Sequence, residues 1–229
     1  MDSQRIYSLF QENGGIFSIP VDNFVEKLSQ IKAFLFDWDG VFNTGQKSPQ
    51  FPSTFLEADS MGLNMLRFGY WLSHQHTQAY CGIITGANNE GARKFAQREH
   101  LHEVFFSFSQ KQYALRAFCK THDLASSQVC YVFDDVNDIG IAGEVGLRIQ
   151  IPRPGSLLFD NYIADNEYCD YRCRQTGGNF AVRESCELLL GMFGTFEEAI
   201  TLRSSTHATY QLYWKDRQSI QTQFIDGKV

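Results

Sequence analysis

The stretch Ile31–Gly40, IKAFLFDWDG, decides which fold this sequence predicts. A dense apolar run ends in two aspartates, Asp37 and Asp39, and the glycine after them permits a bend. Such a run, bounded by a turn signal, is typical of a buried strand in a parallel sheet. Ligands of open α/β sheets bind beyond the carboxyl ends of the strands, so both carboxylates are candidate functional groups. A strand that ends in an ordinary Asp-rich turn is the alternative.

Composition narrows the class of protein. The chain has 229 residues, 43% of them hydrophobic, with a formal net charge of −6 and a sequence pI near 5.5. This balance predicts a globular protein with a sizeable core and argues against a nucleic-acid-binding surface. No apolar run approaches the roughly 18 residues that a membrane helix needs. The N-terminus lacks a secretion signal and the six cysteines are scattered, so we expect free thiols, a cytoplasmic location and neither nucleic acid nor membrane as partner.

Short apolar runs predict four buried strands, with segments of helical periodicity between them. The runs are Ala33–Phe36, Cys81–Ile84, Val129–Phe133 and Leu147–Ile151. Strands that alternate with helices indicate βαβ units, so we expect an α/β fold: a doubly wound, Rossmann-like parallel sheet with helices on both faces. Candidate helix N-caps are Ser60, either Asn88 or Asn89, and Thr195, the last opening a capping box.

One segment interrupts this alternation. Residues 41–59 follow the first strand directly and contain Pro49 and Pro52, which favours a β-hairpin flap at the sheet edge over a helix. We therefore expect an N-terminal extension over residues 1–21, a core over 22–203 that carries this hairpin, and a C-terminal tail over 204–229. The aromatic residues of the tail indicate that it docks on its own domain or on a neighbouring subunit.

Polar residues of one kind follow three of the predicted strands. These are Asp37 and Asp39 after the first, Thr85 and Gly86 after the second, and Asp134, Asp135 and Asp138 after the third. Parallel strands would place all these ends at one edge of the sheet. Two carboxylates 4 Å apart repel by about 4 kcal/mol at an effective dielectric constant of 20, so the cluster needs a compensating cation. Oxygen ligands without a nearby His or Cys favour Mg²⁺.

In this order, the same residues resemble the four motifs of the haloacid dehalogenase superfamily of phosphohydrolases. The motifs appear as Asp37-Trp38-Asp39-Gly40-Val41, Thr85, Lys111, and the acidic pair Asp134 and Asp138. The resemblance implies that Asp37 is the nucleophile and forms an aspartyl-phosphate, which divides one difficult displacement into two easier ones. It implies that Asp39 is the general acid and base.

The resemblance also implies how phosphate and metal are held. Thr85, Gly86 and Lys111 would bind the phosphoryl oxygens of the substrate. The ligands of Mg²⁺ would be the carboxylates of Asp37 and Asp134, the backbone carbonyl of Asp39, and Asp138, directly or through water. Asp135 is left open between a place at the metal and a bond to the backbone facing away from it.

A narrower similarity is with 3-deoxy-D-manno-octulosonate 8-phosphate phosphatases, the small branch of the superfamily without a large cap domain. It rests on Asp39–Gly45, DGVFNTG, and on Thr176–Leu190, TGGNFAVRESCELLL. It implies a small phosphorylated sugar acid as substrate and a homotetramer in which hairpins at residues 41–59 help neighbouring subunits to close each site. Arg183 is a candidate ligand for a substrate carboxylate, and an intramolecular salt bridge is an equally open role for it.

Departures from that branch leave the substrate open. Ala87 stands where the branch has an arginine, and Phe180 replaces a glycine. The sequence therefore predicts a Mg²⁺-dependent phosphomonoesterase that acts on a phosphate of the octulosonate or nonulosonate type. The alternatives are a phosphatase of a different small metabolite and a non-catalytic or regulatory binding protein of the same fold.

Overall fold

A computed structural model describes residues 2–48 and 50–228, and eight strands of this part of the chain form one sheet. The strands are β1 (Ile16–Phe17), β2 (Ala33–Phe36), β3 (Tyr80–Ile84), β4 (Glu103–Phe106), β5 (Val129–Phe133), β6 (Leu147–Gln150), β7 (Tyr171–Arg172) and β8 (Gln223–Asp226). The helices are α1 (Ser3–Glu12), α2 (Val21–Ser29), α3 (Glu57–Ser73), α4 (Glu90–Glu99), α5 (Lys111–Thr121), α6 (Ile139–Ala142), α7 (Leu157–Asp165), α8 (Ala181–Met192), α9 (Phe196–Ser204) and α10 (Ala208–Gln218).

The order of the strands is β1-β7-β6-β5-β2-β3-β4-β8, and every neighbouring pair is parallel except the antiparallel pair of β1 and β7. The chain leaves β2 for β3 on one side and later returns to β5 on the other. This reversal makes β2 and β5 the switch point, where open α/β sheets form their ligand crevice. The four strands predicted from apolar runs are confirmed, with small shifts at one end of β3 and of β6.

Alternation along the central strands produces two hydrophobic cores, one on each face of the sheet. In β2, Phe34 and Phe36 belong to one core, whereas Ala33 and Leu35 belong to the other, because successive side chains of a strand point to opposite faces. Residues of α1–α4 and α8–α10 line the first core, and residues of α5–α7 line the second. The predicted α/β fold with helices on both faces is confirmed. No helix of the described residues combines the length and apolar character needed to cross a membrane.

The β-hairpin expected within residues 41–59 is not formed: its described residues contain no strand, and from Glu57 they belong to α3. Aromatic packing takes the place of strand pairing there. Phe42 and Phe55, near the two ends of the segment, both contact the ring of Phe95, with centroids 4.8 and 4.7 Å apart. These contacts fold the segment onto α4 as an irregular loop, and Pro52 within it has no backbone N–H for a ladder.

Predicted helix N-caps use their side chains for tertiary contacts instead. The Ser60 hydroxyl, inside α3, donates to Glu99 Oε1 at 2.8 Å. Asn89 and Thr195 do occupy N-cap positions, but neither makes a side-chain cap hydrogen bond. Thr195 Oγ1 donates to the Gly69 carbonyl at 3.2 Å, which ties α9 to α3. The local sequence therefore predicts these helix starts to within a few residues. The side chains predicted to cap the helices instead form hydrogen bonds with residues of other segments.

Both ends of the chain pair with the sheet, through β1 at one edge and β8 at the other. The tail docks on its own domain, one of the two options left by its aromatic residues. A buried salt bridge fixes α10 there, since Arg217 Nη1 lies 3.0 Å from Glu99 Oε2 and both side chains are nearly inaccessible to solvent. The division into extension, core and tail stays a prediction.

We expect Arg217→Ala to lower the free energy of unfolding by about 3 kcal/mol, because it leaves the Glu99 carboxylate buried without its partner. Urea unfolding at pH 7 measures the change. Lys215→Ala is the matched control, since Lys215 is exposed on the same helix. Equal, small losses for the two variants would contradict a stabilising role for the buried bridge.

Candidate active site

A cavity of about 440 Å³ opens at the carboxyl ends of the central strands. Asp37 follows β2, Thr85 follows β3 and Asp134 follows β5, and all three line it. The Asp37 amide donates to the Val132 carbonyl at 2.9 Å, so strand pairing extends up to the first aspartate. The topology therefore brings together groups that lie almost 100 residues apart in the sequence.

The floor of this cavity is a cluster of three buried carboxylates. Asp37, Asp134 and Asp138 each offer an oxygen within 4.8 Å of the others. Lys111, the first residue of α5, places Nζ 2.8 Å from Asp37 Oδ1 and 2.7 Å from Asp138 Oδ1. The Tyr131 hydroxyl donates to Asp138 Oδ1 at 2.5 Å. One lysine thus compensates part of the charge of three acids.

Burial and mutual repulsion alter the acidity of these groups. Burial, followed by the charge of Asp138, raises the pKa of Asp37 to about 6. Burial, followed by the charges of Asp37 and Asp138, raises the pKa of Asp134 to about 9. Burial alone would lower the pKa of Lys111, but the carboxylates of Asp37 and Asp138 outweigh that effect and raise it. Lys111 is therefore a permanent cation, whereas the acids need further positive charge to ionise together.

The residues present fit a divalent cation. Both side-chain oxygens of Asp134 are buried and accept no hydrogen bond from any described residue; Arg153 Nη1 lies 3.2 Å from Oδ2 as an ion pair, and lone pairs remain for a metal. A Cβ atom at Gly40 would lie 1.9 Å from Asp134 Oδ2, and the φ of Gly40 is +88°. Only glycine therefore leaves room for this carboxylate beside the first strand end. A donor set made only of oxygens favours a hard ion such as Mg²⁺.

Asp39 lies at the side of the same cavity with a separate set of contacts. Its Oδ2 accepts a hydrogen bond of 2.7 Å from Asn89 Nδ2 and is paired with Lys47 Nζ. Its Oδ1 is buried and has no hydrogen-bond partner among the described residues. Asn89 and Lys47 thus orient the Asp39 side chain through Oδ2, and Oδ1 remains without a hydrogen-bond partner among the described residues.

Thr85 and Gly86 line the cavity together with Lys111. Thr85 Oγ1 accepts hydrogen bonds from Asn89 Nδ2 at 3.1 Å and from the Ala87 amide at 3.4 Å. Asn89 therefore bridges Thr85 and Asp39, the ends of two adjacent strands. Because its Oγ1 is held in this way, the Thr85 hydroxyl proton is free to donate to a bound oxyanion.

The glycines of the Thr176-Gly-Gly block have a packing role beside this site. A Cβ at Gly177 would lie 2.0 Å from the Gly40 carbonyl oxygen, so only glycine lets this segment approach the turn after Asp39 so closely. The block that carried the narrower sequence resemblance therefore packs its backbone against the turn that follows Asp39.

Arg183 lies outside the cavity that contains the acids. Its Nε is 2.7 Å from Glu187 Oε1, so the intramolecular salt bridge left open by the sequence is present. Its backbone amide donates to Asp59 Oδ1 at 2.9 Å. Within one chain the structure does not bring Arg183 to the other predicted site residues, and a role in substrate binding stays a prediction.

Sequence reasoning missed three cavity or site side chains: Asn89, Lys47 and Arg153. None belongs to a motif, and Asn89 was interpreted only as a helix cap. Arg153 follows β6 and lies 2.5 Å from Asp135 Oδ2 and 3.2 Å from Asp134 Oδ2 through Nη1. Asp135 Oδ1 accepts a hydrogen bond of 2.8 Å from the Val136 amide, so the backbone bond left open for Asp135 is present, while the residue still lines the cavity beside Arg153. The one available signal was the position of Arg153 just after a predicted strand.

Comparison with known proteins identifies phosphatases and hydrolases that are similar to this chain. No family model matches the chain. It is 27% identical to the 3-deoxy-D-manno-octulosonate 8-phosphate phosphatase KdsC of Escherichia coli over 176 residues, which are 76% of this chain and 87% of that enzyme. The solved phosphatase of the same type from Moraxella catarrhalis, in complex with magnesium, phosphate and KDO, superposes with a TM-score of 0.65 at 26% identity, covering 79% of this chain and 97% of the other.

A second solved structure, described as a subfamily III A hydrolase of the haloacid dehalogenase superfamily from Legionella pneumophila, superposes with a TM-score of 0.64. Its identity is 27%, and the match covers 79% of this chain and 93% of that one. The resemblance to the haloacid dehalogenase phosphatases is confirmed. The same comparisons confirm the predicted enzyme class, a phosphoric monoester hydrolase.

We expect the metal-free protein to lose stability as pH rises from 5 to 8. Asp134, with a folded-state pKa of about 9, binds its proton more tightly in the folded chain than in the unfolded one. Its stabilising contribution is therefore complete below about pH 4 and is lost as pH rises toward the folded value. Asp134→Asn should flatten the profile and raise the free energy of unfolding at pH 8 by on the order of 2 kcal/mol.

Urea unfolding in a chelator at pH 5, 6.5 and 8 measures these profiles, and Asp22→Asn, an exposed acid on α2, is the control. Addition of Mg²⁺ should stabilise the wild type at pH 8 and leave Asp134→Asn unchanged. If the free energy of unfolding depended on pH in the same way for the wild type and Asp134→Asn, burial would not raise the pKa of this carboxyl group.

Proposed function

We propose that the protein is a Mg²⁺-dependent phosphomonoesterase that hydrolyses a small phosphorylated sugar acid through an aspartyl-phosphate on Asp37. The observation that carries the proposal is the buried Asp37, Asp134 and Asp138 cluster around Lys111 at the switch point of the sheet. The relatives support the class of substrate, because the Escherichia coli enzyme KdsC and the Moraxella catarrhalis enzyme are both phosphatases of 3-deoxy-D-manno-octulosonate 8-phosphate.

Asp37 and Asp39 divide the chemistry between them. A carboxylate oxygen of Asp37 attacks phosphorus, and the bond from phosphorus to the ester oxygen breaks as the new bond forms. Asp39 gives its proton to the departing oxygen and then removes a proton from the water that hydrolyses the acyl phosphate. Asn89 holds the Asp39 carboxylate through its 2.7 Å hydrogen bond, so the acid stays directed into the cavity.

Lys111, Thr85 and Gly86 bind the phosphoryl oxygens of the substrate. Lys111 also offsets the charge of the nucleophile, from which it is 2.8 Å distant. Mg²⁺, when held by Asp37, Asp134 and Asp138, supplies positive charge that stabilises the transferring phosphoryl group. Fixed charges of this kind in a water-poor pocket stabilise the transition state strongly because they need no reorganisation.

Features of the surface support a small substrate and an assembled form. The cavity volume of about 440 Å³ suits one small metabolite and leaves its mouth open. Large apolar side chains are exposed at Phe51, Leu157 and Leu158, which suits contacts between subunits. A cytoplasmic homotetramer, in which Arg183 reaches the site of another subunit, is the assembly we propose.

Asp37→Asn should abolish hydrolysis of phosphate esters, with a fall in kcat on the order of 10⁴-fold or more, because the amide cannot act as the nucleophile. Release of inorganic phosphate from 3-deoxy-D-manno-octulosonate 8-phosphate and from p-nitrophenyl phosphate measures it. Circular dichroism checks that the fold is retained, and Asp22→Asn serves as a surface control.

Turnover by Asp37→Asn at a rate near that of the wild type would contradict the aspartyl-phosphate mechanism. Binding of Mg²⁺ and sugar-acid phosphates by the wild type, without any turnover, would instead support the binding-protein alternative. Hydrolysis restricted to other phosphate esters would support the alternative of a different small metabolite.

A further inference from the structure

Two cations at the mouth of the cavity have no place in the phosphate chemistry. Lys111 is buried against Asp37 and Asp138 and serves the phosphoryl group. Lys47 and Arg153 also line the cavity, with side chains that are 61% and 34% exposed. Lys47 is paired with Asp39, and Arg153 is paired with Asp135 and Asp134.

Arg153 is the better positioned of the two. Its Nη1 is anchored between Asp135 and Asp134, at 2.5 and 3.2 Å. Its Nη2 packs over Gly45, where a Cβ atom would approach to 2.8 Å, and Gly45 has a φ of +76°. The guanidinium is thus held in a fixed place by acids on one side and a glycine backbone on the other.

This arrangement leaves hydrogen-bond donors of Arg153 available. Among the described contacts, its Nη1 makes the bond to Asp135, and neither Nε nor Nη2 has a protein acceptor. Neither nitrogen is buried without a partner, and the side chain as a whole is 34% exposed, so both nitrogens reach solvent. A cation ligated by Asp134 would weaken the hold of that acid on Arg153, while Asp135 would keep the guanidinium in place.

We infer that Arg153 binds a second anionic group of the substrate, its carboxylate, and so selects phosphorylated sugar acids over neutral sugar phosphates. The inference rests on the proposed function. The phosphate occupies the floor beside Lys111, and the planar fork of Arg153 matches a carboxylate through two parallel hydrogen bonds. Ala87, which lines the same cavity, brings no charge to it, and Lys47 is paired with Asp39, so within one chain Arg153 is the cation with donors left for the carboxylate.

The test compares Arg153→Gln and Arg153→Lys with Arg174→Gln, an exposed arginine outside the cavity. Substrates are 3-deoxy-D-manno-octulosonate 8-phosphate and mannose 6-phosphate, which lacks a carboxylate. Arg153→Gln should lower kcat/KM for the sugar-acid phosphate about 10- to 100-fold, mainly through KM, as expected for loss of a charged bidentate contact. The kcat/KM for mannose 6-phosphate should change by about twofold or less, because this ester has no carboxylate for Arg153 to bind.

Arg153→Lys should restore only part of the loss, because an ammonium group lacks the fork. Calorimetric binding of free 3-deoxy-D-manno-octulosonate to the Mg²⁺-loaded protein gives a readout that needs no turnover, and Arg153→Gln should weaken it by a similar factor. Mg²⁺ affinity is measured for each variant, and removal of a cation beside Asp134 should tighten it.

Equal losses for both esters, or a loss that disappears at saturating Mg²⁺, would overturn the role of Arg153 and leave the phosphatase proposal standing. A stronger dependence on Arg153 for fructose 1,6-bisphosphate than for the sugar-acid phosphate would overturn the carboxylate assignment. Failure of the wild type to hydrolyse any of these esters, with the sugar acid still bound through Arg153, would reject the proposed function alone.

Discussion

The electrostatic repulsion among Asp37, Asp134 and Asp138 is the constraint on which the site depends. Three buried carboxylates lie within 4.8 Å of one another, and the cations that contact them among the described residues are Lys111, at Asp37 and Asp138, and the half-exposed Arg153, 3.2 Å from Asp134. Burying unpaired charge is expensive, so this arrangement is stable only when the acids keep protons or acquire a metal. The carboxylates needed for catalysis are therefore the same groups that destabilise the folded protein when no metal is bound.

The fold holds these acids close together through the positions of its strands and glycines. Parallel strands β2 and β5 deliver Asp37 and Asp134 to the same edge, and Gly40 makes room for the second carboxylate. Gly177 brings a distant loop within contact of the Gly40 carbonyl, directly behind the turn that carries Asp39. Aromatic packing on both faces of the sheet holds these backbone positions, so the acids cannot move apart to relieve their repulsion.

The central strands and the acids that follow them could be predicted from the sequence, because a strand that is buried on both faces consists of a continuous run of apolar residues. The runs before Asp37 and Asp134 gave the strands, and parallel topology then implied that their ends converge. Asn89 and Arg153 could not be found in this way, since their roles depend on loop paths that no periodicity encodes. The same limit explains the error at residues 41–59, where the rings of Phe42 and Phe55 fold the segment onto Phe95.

Calorimetric titration of the metal-free protein with Mg²⁺ at pH 7, in two buffers of different ionisation enthalpy, tests the central claim most directly. The raised pKa of Asp134, about 9, means that this carboxyl holds a proton at pH 7 before metal binds. We predict one Mg²⁺ per chain, with release of about one proton to the buffer. Absence of binding, or binding with the same heat in both buffers, would contradict the account of a metal site assembled from strained, protonated carboxylates.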